Sequence, residues 1–310
     1  MLDRWGIVRA GASEESITMD AGELLEFLAL PARRPVEAIV VDRVEKQGFV
    51  VEHLRFDLGE PVRGLLTRPS RPAGRRPAIL YCHAHGARYE IGASELTDGR
   101  PSLIGPYGPT LAEAGFVTLS IDMPTFGDRQ VPNENSLSKA LLWQGRTLMG
   151  KMLGDLLAAF DWLAARSDVD PTRIAALGLS MGATHAFFLG AVEPRLARIA
   201  HLCCYADWAT LVETGSHDLH GHYMTVPGLL VKTSIGEIAG LIAPRPQLIC
   251  IGEADPLTPP DAVARAYRGT LSAYRAAGAE KALRLLTEPG IGHQETPRMR
   301  EAVMAFLRGM

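Results

Sequence analysis

A serine with glycine two residues before it and two residues after it stands in Gly178-Leu179-Ser180-Met181-Gly182. That spacing has a use in nucleophilic chemistry. A strand that turns at once into a helix leaves no room for side chains at the two flanking positions, and the strained residue between them projects its hydroxyl off the sheet. The helix opening after Ser180 aims free amide N–H groups and the positive end of its dipole at the same point, where an oxyanion could form. A lone hydroxyl is a poor nucleophile near neutral pH. It needs a base within hydrogen-bond reach and a carboxylate that fixes the base's tautomer. His293, in Gly290-Ile291-Gly292-His293-Gln294, and Asp255, in Gly252-Glu253-Ala254-Asp255-Pro256, are the candidates. Glycine on both sides of Ile291 suits a loop that must bring an imidazole back over its support. Asp255 has a bland alternative as a helix cap and a rival in Asp207. The motif taken alone also fits a glycine-rich turn with no chemistry.

Each candidate follows an apolar run of strand length: residues 174–179 before Ser180, 198–205 before Asp207, 247–252 before Asp255 and 283–287 before His293. Earlier runs at 78–82 and 116–121 are of the same kind, and helical stretches at 110–114, 137–166, 261–277 and 297–308 intervene. Strands alternating with helices predict a parallel sheet, whose strand C-termini share one edge, so residues far apart in sequence meet there. The 137–166 stripe carries Gly145, Gly150 and Gly154, which predict close packing or a break near Gly145. Asp168 to Pro171 reads as a turn. From Val36 to Thr67 the pattern alternates around Gly48 and Gly59-Glu60-Pro61, predicting an antiparallel meander at the sheet's edge. Ile17, Ala21, Leu24, Leu25 and Leu28 recur at helical spacing, so residues 14–30 read as an amphipathic helix stopped by Pro31. The division is therefore an N-terminal helical extension, 1–35, and one α/β domain, 36–310. Residues 206–243 form an insertion longer than the usual strand-to-helix connection, of a size that commonly shapes a binding site.

The 310 residues are 47 % hydrophobic and 22 % charged, enough to bury a large core, and the net charge of −3 carries no basic footprint for nucleic acid. The Arg-rich piece from Arg68 to Arg76 is broken by prolines like a surface turn. The N-terminus lacks an apolar stretch of signal-peptide length and no run reaches the roughly 18 apolar residues of a membrane span, so a soluble cytoplasmic protein is expected. Cys82, Cys203, Cys204 and Cys250 fall in apolar runs without CxxC spacing and read as buried thiols. His217, His220 and His222 make an HxxHxH cluster, but no Cys or carboxylate completes a metal site, so they read as pocket walls beside Trp208, Tyr223 and Met224. His83 and His85 suit hydrogen bonding to loop backbone, and Asp122 and Asp128 suit loop organisation. Arg88 and Arg129 either border the cleft or lie in solvent.

The chain order Ser, Asp, His, with His83-Ala84-His85-Gly86 at a strand end, GLSMG, Ala-Pro-Arg-Pro followed by GEAD, and GIGH, resembles the α/β-hydrolases of the dienelactone hydrolase and acetyl xylan esterase type over about residues 50–310. The resemblance implies a mostly parallel central sheet with helices on both faces and an antiparallel N-terminal edge. It implies a Ser180, His293, Asp255 triad acting on carboxylic esters through an acyl-enzyme, with oxyanion donors at the N–H groups of Ala87 and Met181. Some dienelactone-branch members carry Cys at the nucleophile position; Ser180 favours ordinary esters, with short acyl groups preferred by analogy. No cofactor or metal is required, and the expected partner is a small-molecule ester; homo-oligomerisation stays open. The alternatives are an aminopeptidase or amidase of the prolyl-oligopeptidase-like type and a catalytically silent binding protein.

Overall fold

The computed structural model describes residues 19–71 and 74–310. Nine strands form one sheet: β1 (Ala38–Glu45), β2 (Phe49–Asp57), β3 (Pro61–Pro69), β4 (Arg76–Cys82), β5 (Val117–Ile121), β6 (Val169–Leu179), β7 (Arg198–Leu202), β8 (Gln247–Gly252) and β9 (Leu283–Glu288). Their spatial order is β1-β2-β3-β5-β4-β6-β7-β8-β9. The pairs β1–β2, β2–β3 and β3–β5 are antiparallel, and every pair from β5 through β4 to β9 is parallel. The parallel block is covered on both faces, which is why its strands read as continuous apolar runs rather than alternating ones. In β4 the faces separate residue by residue, with Ala78, Leu80 and Cys82 entering one core and Ile79 and Tyr81 the other.

Eleven helices are seen among the described residues: α1 (Ala21–Phe27), α2 (Glu95–Asp98), α3 (Tyr107–Glu113), α4 (Glu134–Trp143), α5 (Leu148–Ala165), α6 (Met181–Val192), α7 (Trp208–Thr214), α8 (Leu229–Lys232), α9 (Ile235–Gly240), α10 (Pro260–Ala276) and α11 (Pro297–Arg308). Helices α1, α5, α6, α9 and α10 give side chains to the first core, and α2, α3 and α11 to the second. Helix α1 opens on a capping box between Asp20 and Glu23 and buries Leu24 completely, and its C-cap Leu28 is completely buried as well. The part of the expected N-terminal helix before residue 19 lies outside the described residues.

The expected long helix over 137–166 is two, α4 and α5, separated at Gly145 with φ 69°. The other two glycines of that stripe admit the N-terminal segment: a Cβ on Gly150 would sit 2.1 Å from the Leu28 carbonyl oxygen, and one on Gly154 would sit 2.7 Å from the Pro31 ring. The turn expected at 168–171 is absorbed into β6 as an irregularity, because the pairing with β4 slips between Arg76↔Val169 and Ala78↔Ile174. Strand β7 ends at Leu202, three residues early, where Cys203 takes φ 59° and the chain turns. The 206–243 segment holds α7, α8 and α9 with single 3₁₀ turns at Ser216–Leu219 and His222–Met224. All four cysteines are buried and free.

Candidate active site

Ser180 is the hinge between β6 and α6, with φ 58° and ψ −124°, a conformation a non-glycine residue adopts only at a cost of order 1–3 kcal/mol. Its backbone is held there by a bond from its N–H to the Leu202 carbonyl on β7 and by Ala183 and Thr184 N–H groups on its own carbonyl. Both flanking glycines are sterically required. A Cβ on Gly178 would lie 2.2 Å from the Gly182 carbonyl oxygen, and one on Gly182 would lie 1.9 Å from the Cys82 carbonyl oxygen at the end of β4. Helix α6 therefore starts pressed against the strand beside it.

His293 lies in the loop between β9 and α11. Gly252 makes that loop's approach feasible: a Cβ there would be 2.4 Å from the Ile291 carbonyl oxygen, the atom that accepts the Ala254 N–H at 2.8 Å. The imidazole Nε2 is 2.9 Å from Ser180 Oγ and Nδ1 is 2.6 Å from Asp255 Oδ2. Asp255 is 2 % exposed, and its other oxygen accepts the Leu257 N–H at 2.9 Å. Because an ionised carboxylate only accepts, the hydrogen-bond pattern assigns Nδ1–H to His293 and leaves Nε2 bare toward the hydroxyl. Asp207 goes elsewhere. It caps α7, accepting the Thr210 N–H at 2.9 Å and the Thr210 hydroxyl at 2.8 Å, with Arg265 at 3.4 Å.

Met181 is the first residue of α6, so its N–H is one of the amides that no intrahelical carbonyl can take. The Ala87 N–H is differently placed: it donates to His85 Nδ1 at 3.0 Å, within a turn where Gly86 and Ala87 both have φ 53°. His85 Nε2 in turn is 2.9 Å from Glu134 Oε2. Glu134, the first residue of α4 and 4 % exposed, also accepts the Tyr89 hydroxyl at 2.8 Å and, on Oε1, the Tyr223 N–H at 3.1 Å. Burial works to raise its carboxyl, but the His85 contact, with Tyr89 and the Tyr223 N–H, outweighs it and holds it below the usual carboxylate range. Glu134 carries little signal in the sequence; its only local sign is Asn133 in front of it as a helix cap.

His83 donates from Nδ1 to the Ala84 carbonyl and accepts the Met123 N–H on Nε2 at 3.1 Å, and burial pushes it down to about 4, so it is a neutral brace between β4 and the following loop. Asp122 organises the 122–129 loop through Arg63, the Ala93 N–H and the Asp128 N–H. Asp128 is largely exposed. Arg129 does not lie in solvent, being buried against Glu60, Asp155 and the Asp122 carbonyl. Arg88 is exposed and pairs with Glu90. His217, His220 and His222 line a cavity of about 380 Å3 with Trp208, Leu211 and Met224. His220 donates from Nε2 to the Leu257 carbonyl, two residues past Asp255, and burial lowers its pKa. Among the described residues, no group of three or more His, Cys, Asp or Glu side chains is placed to hold a metal ion, and no helix is long and apolar enough to cross a membrane.

A sheet of this order, entered by a glycine-bounded serine elbow after a central parallel strand, is the α/β-hydrolase fold. The chain belongs to the dienelactone hydrolase family, whose sequence model matches residues 104–276. It is 36 % identical over 282 residues to YtaP of Bacillus subtilis (strain 168), named as a candidate hydrolase, a match covering 90 % of this chain and 94 % of that one. Among solved structures it resembles the acetyl xylan esterase from Paenibacillus sp. R4, with TM-score 0.67, 20 % identity and coverage of 93 % and 92 % of the two chains. It also resembles the glucuronoyl esterase from Solibacter usitatus, with TM-score 0.69, 15 % identity and coverage of 96 % and 93 %. At these identities the structural likeness carries the fold.

Proposed function

We propose that this protein cleaves short-acyl carboxylic esters through an acyl-enzyme on Ser180, with His293 as general base and Asp255 as the acid that orients it. The observation that carries the reading is the unbroken chain from Ser180 Oγ to His293 Nε2 at 2.9 Å and from His293 Nδ1 to Asp255 Oδ2 at 2.6 Å. His293 takes the Ser180 proton as the hydroxyl oxygen bonds to the ester carbonyl carbon. The carbonyl oxygen becomes an oxyanion, stabilised by the Met181 N–H and the dipole of α6. Asp255 stabilises the imidazolium without taking its proton. His293 then protonates the departing alkoxide, and water repeats the sequence on the acyl-enzyme.

Ala87 is the second oxyanion donor in this reading, and it joins by exchange. Its N–H rests on a neutral nitrogen in the free protein, and a charged oxyanion is the stronger acceptor. The preference for short acyl groups rests on analogy with the acetyl xylan esterases of the same fold. The test is a fluorophosphonate probe together with nitrophenyl esters of increasing acyl length and aminoacyl anilides. Labelling and ester turnover are expected in the wild type and neither in Ser180→Ala, with acetate the best ester. Full labelling of Ser180→Ala would remove the serine from its role, and a preference for long chains or anilides would overturn the substrate class.

A further inference from the structure

Glu134 sits outside the three-residue chain just described and ties the loop after β4 to the 206–243 segment. Its Oε2 faces His85 Nε2 at 2.9 Å and the Tyr89 hydroxyl at 2.8 Å, on the loop after β4. Its Oε1 accepts the Tyr223 N–H at 3.1 Å, in the 206–243 segment. Gly221 is packed on the same pair, since a Cβ there would lie 2.8 Å from His85 Nε2 and 2.9 Å from Glu134 Oε1. The His85 ring is enclosed by Tyr89 and Phe126, each 5.1 Å away centroid to centroid, and by Tyr223 at 6.0 Å.

Those contacts leave His85 one neutral tautomer. A carboxylate at Nε2 demands a proton there, and the Ala87 N–H arriving at Nδ1 demands a bare nitrogen. We propose that Glu134 is a positioning residue for the Ala87 amide: it holds His85 as the Nε2–H tautomer, whose free Nδ1 orients the Ala87 N–H until the oxyanion takes it. The proposal rests on the reading of Ala87 as an oxyanion donor. A ground-state carbonyl is neutral and does not displace Nδ1, so the Ala87 bond to the substrate is made only in the transition state, and Glu134 acts on kcat rather than on KM.

Glutamine cannot replace this carboxylate. With its oxygen toward His85 and Tyr89, its NH2 confronts the Tyr223 N–H; with the amide turned over, its NH2 faces His85 Nε2 and forces the proton to Nδ1, against Ala87. Glu134→Gln is therefore expected to lower kcat on nitrophenyl acetate by about 10- to 100-fold, with KM within about twofold. The decisive readout is the rate ratio between the ester and its thionoester, whose sulfur is the poorer hydrogen-bond acceptor. That ratio should shrink in Glu134→Gln, because a weakened oxyanion site discriminates less between oxygen and sulfur. His85→Asn supplies an acceptor at the Nδ1 position without reaching Glu134, so adding Glu134→Gln in that background should produce no further fall in kcat. A ratio unchanged from wild type, or an equal fall in both backgrounds, overturns the proposal. If Glu134→Gln does not fold alone, the ratio in His85→Leu, which offers no acceptor, decides: it should shrink, and a wild-type ratio refutes the idea. Activity surviving in Ser180→Ala is a separate outcome, striking the reading of Ser180 as the nucleophile of an acyl-enzyme instead.

Discussion

Replacing Asp255 by asparagine tests the assignment of the acid through a single atom. The Asp255 Oδ1 accepts the Leu257 N–H at 2.9 Å and Oδ2 accepts from His293 Nδ1 at 2.6 Å, so both oxygens are committed as acceptors. An asparagine keeps its carbonyl oxygen on Leu257, because its NH2 there would oppose another N–H. The NH2 then points at His293 Nδ1 and donates to it, which moves the imidazole proton to Nε2, facing Ser180. A base protonated on that side cannot take the serine proton. The expected loss is about 10⁴-fold in kcat, as for the same change in serine proteases, or about 5.5 kcal/mol of barrier. Asp207→Asn is the matched control. Asparagine caps a helix as well as aspartate does, and the charge it forfeits faces an Arg265 that is half exposed, so the stability cost is at most about 1 kcal/mol. For a chain of this length that is about 1–2 °C in Tm, and activity should fall less than about tenfold. The assay is nitrophenyl acetate turnover on both purified variants with thermal unfolding in parallel. If Asp207→Asn is inactive and Asp255→Asn active at equal Tm, the tautomer argument is wrong.

The elbow and the acid side of the stability curve give two further expectations. Gly182→Ala drives a methyl into the Cys82 carbonyl, backbone that cannot give way, and should lower Tm by more than about 5 °C or prevent folding, whereas Ser180→Ala folds normally; a Gly182→Ala protein of wild-type Tm would contradict the packing seen here. His83, His185 and His201 are buried and neutral, pushed down by burial to about 4, about 3 and about 3, and neither ring nitrogen of His185 has a partner among the described residues. Their folded values lie below the unfolded one, so the unfolded chain gains protons first. Stability is whole above about pH 6.5 and falls as pH drops toward 4, by about 2 kcal/mol per histidine at pH 5. Urea midpoints from pH 7 to 5 should show this slope and His185→Phe should flatten it by about a third; a flat wild-type profile would refute it.

Much of this architecture is written locally in the chain. Strand β8 at 247–252 and helix α11 at 297–308 stand where the apolar runs and periodicity put them, since each is decided by neighbours a few residues away. The elbow is legible in part for the same reason, because the clash that excludes a side chain at 178 is with Gly182 only four residues on, whereas the one at 182 is with the Cys82 carbonyl on β4 and belongs to the tertiary structure. The choice of Asp255 over Asp207 rests on the family resemblance, because the residues alone leave both open. Both follow strands that end on the same edge, and only the folded loops show one carboxylate spent on the start of its own helix and the other delivered to an imidazole 38 residues further along. Arg129 reads from the sequence as a loop cation but is drawn inside by Glu60 and Asp155, partners on two other elements. Glu134 has the least local signal: its partners His85 and Tyr223 lie 49 and 89 residues away, and long-range hydrogen bonds leave no periodicity in the chain that makes them.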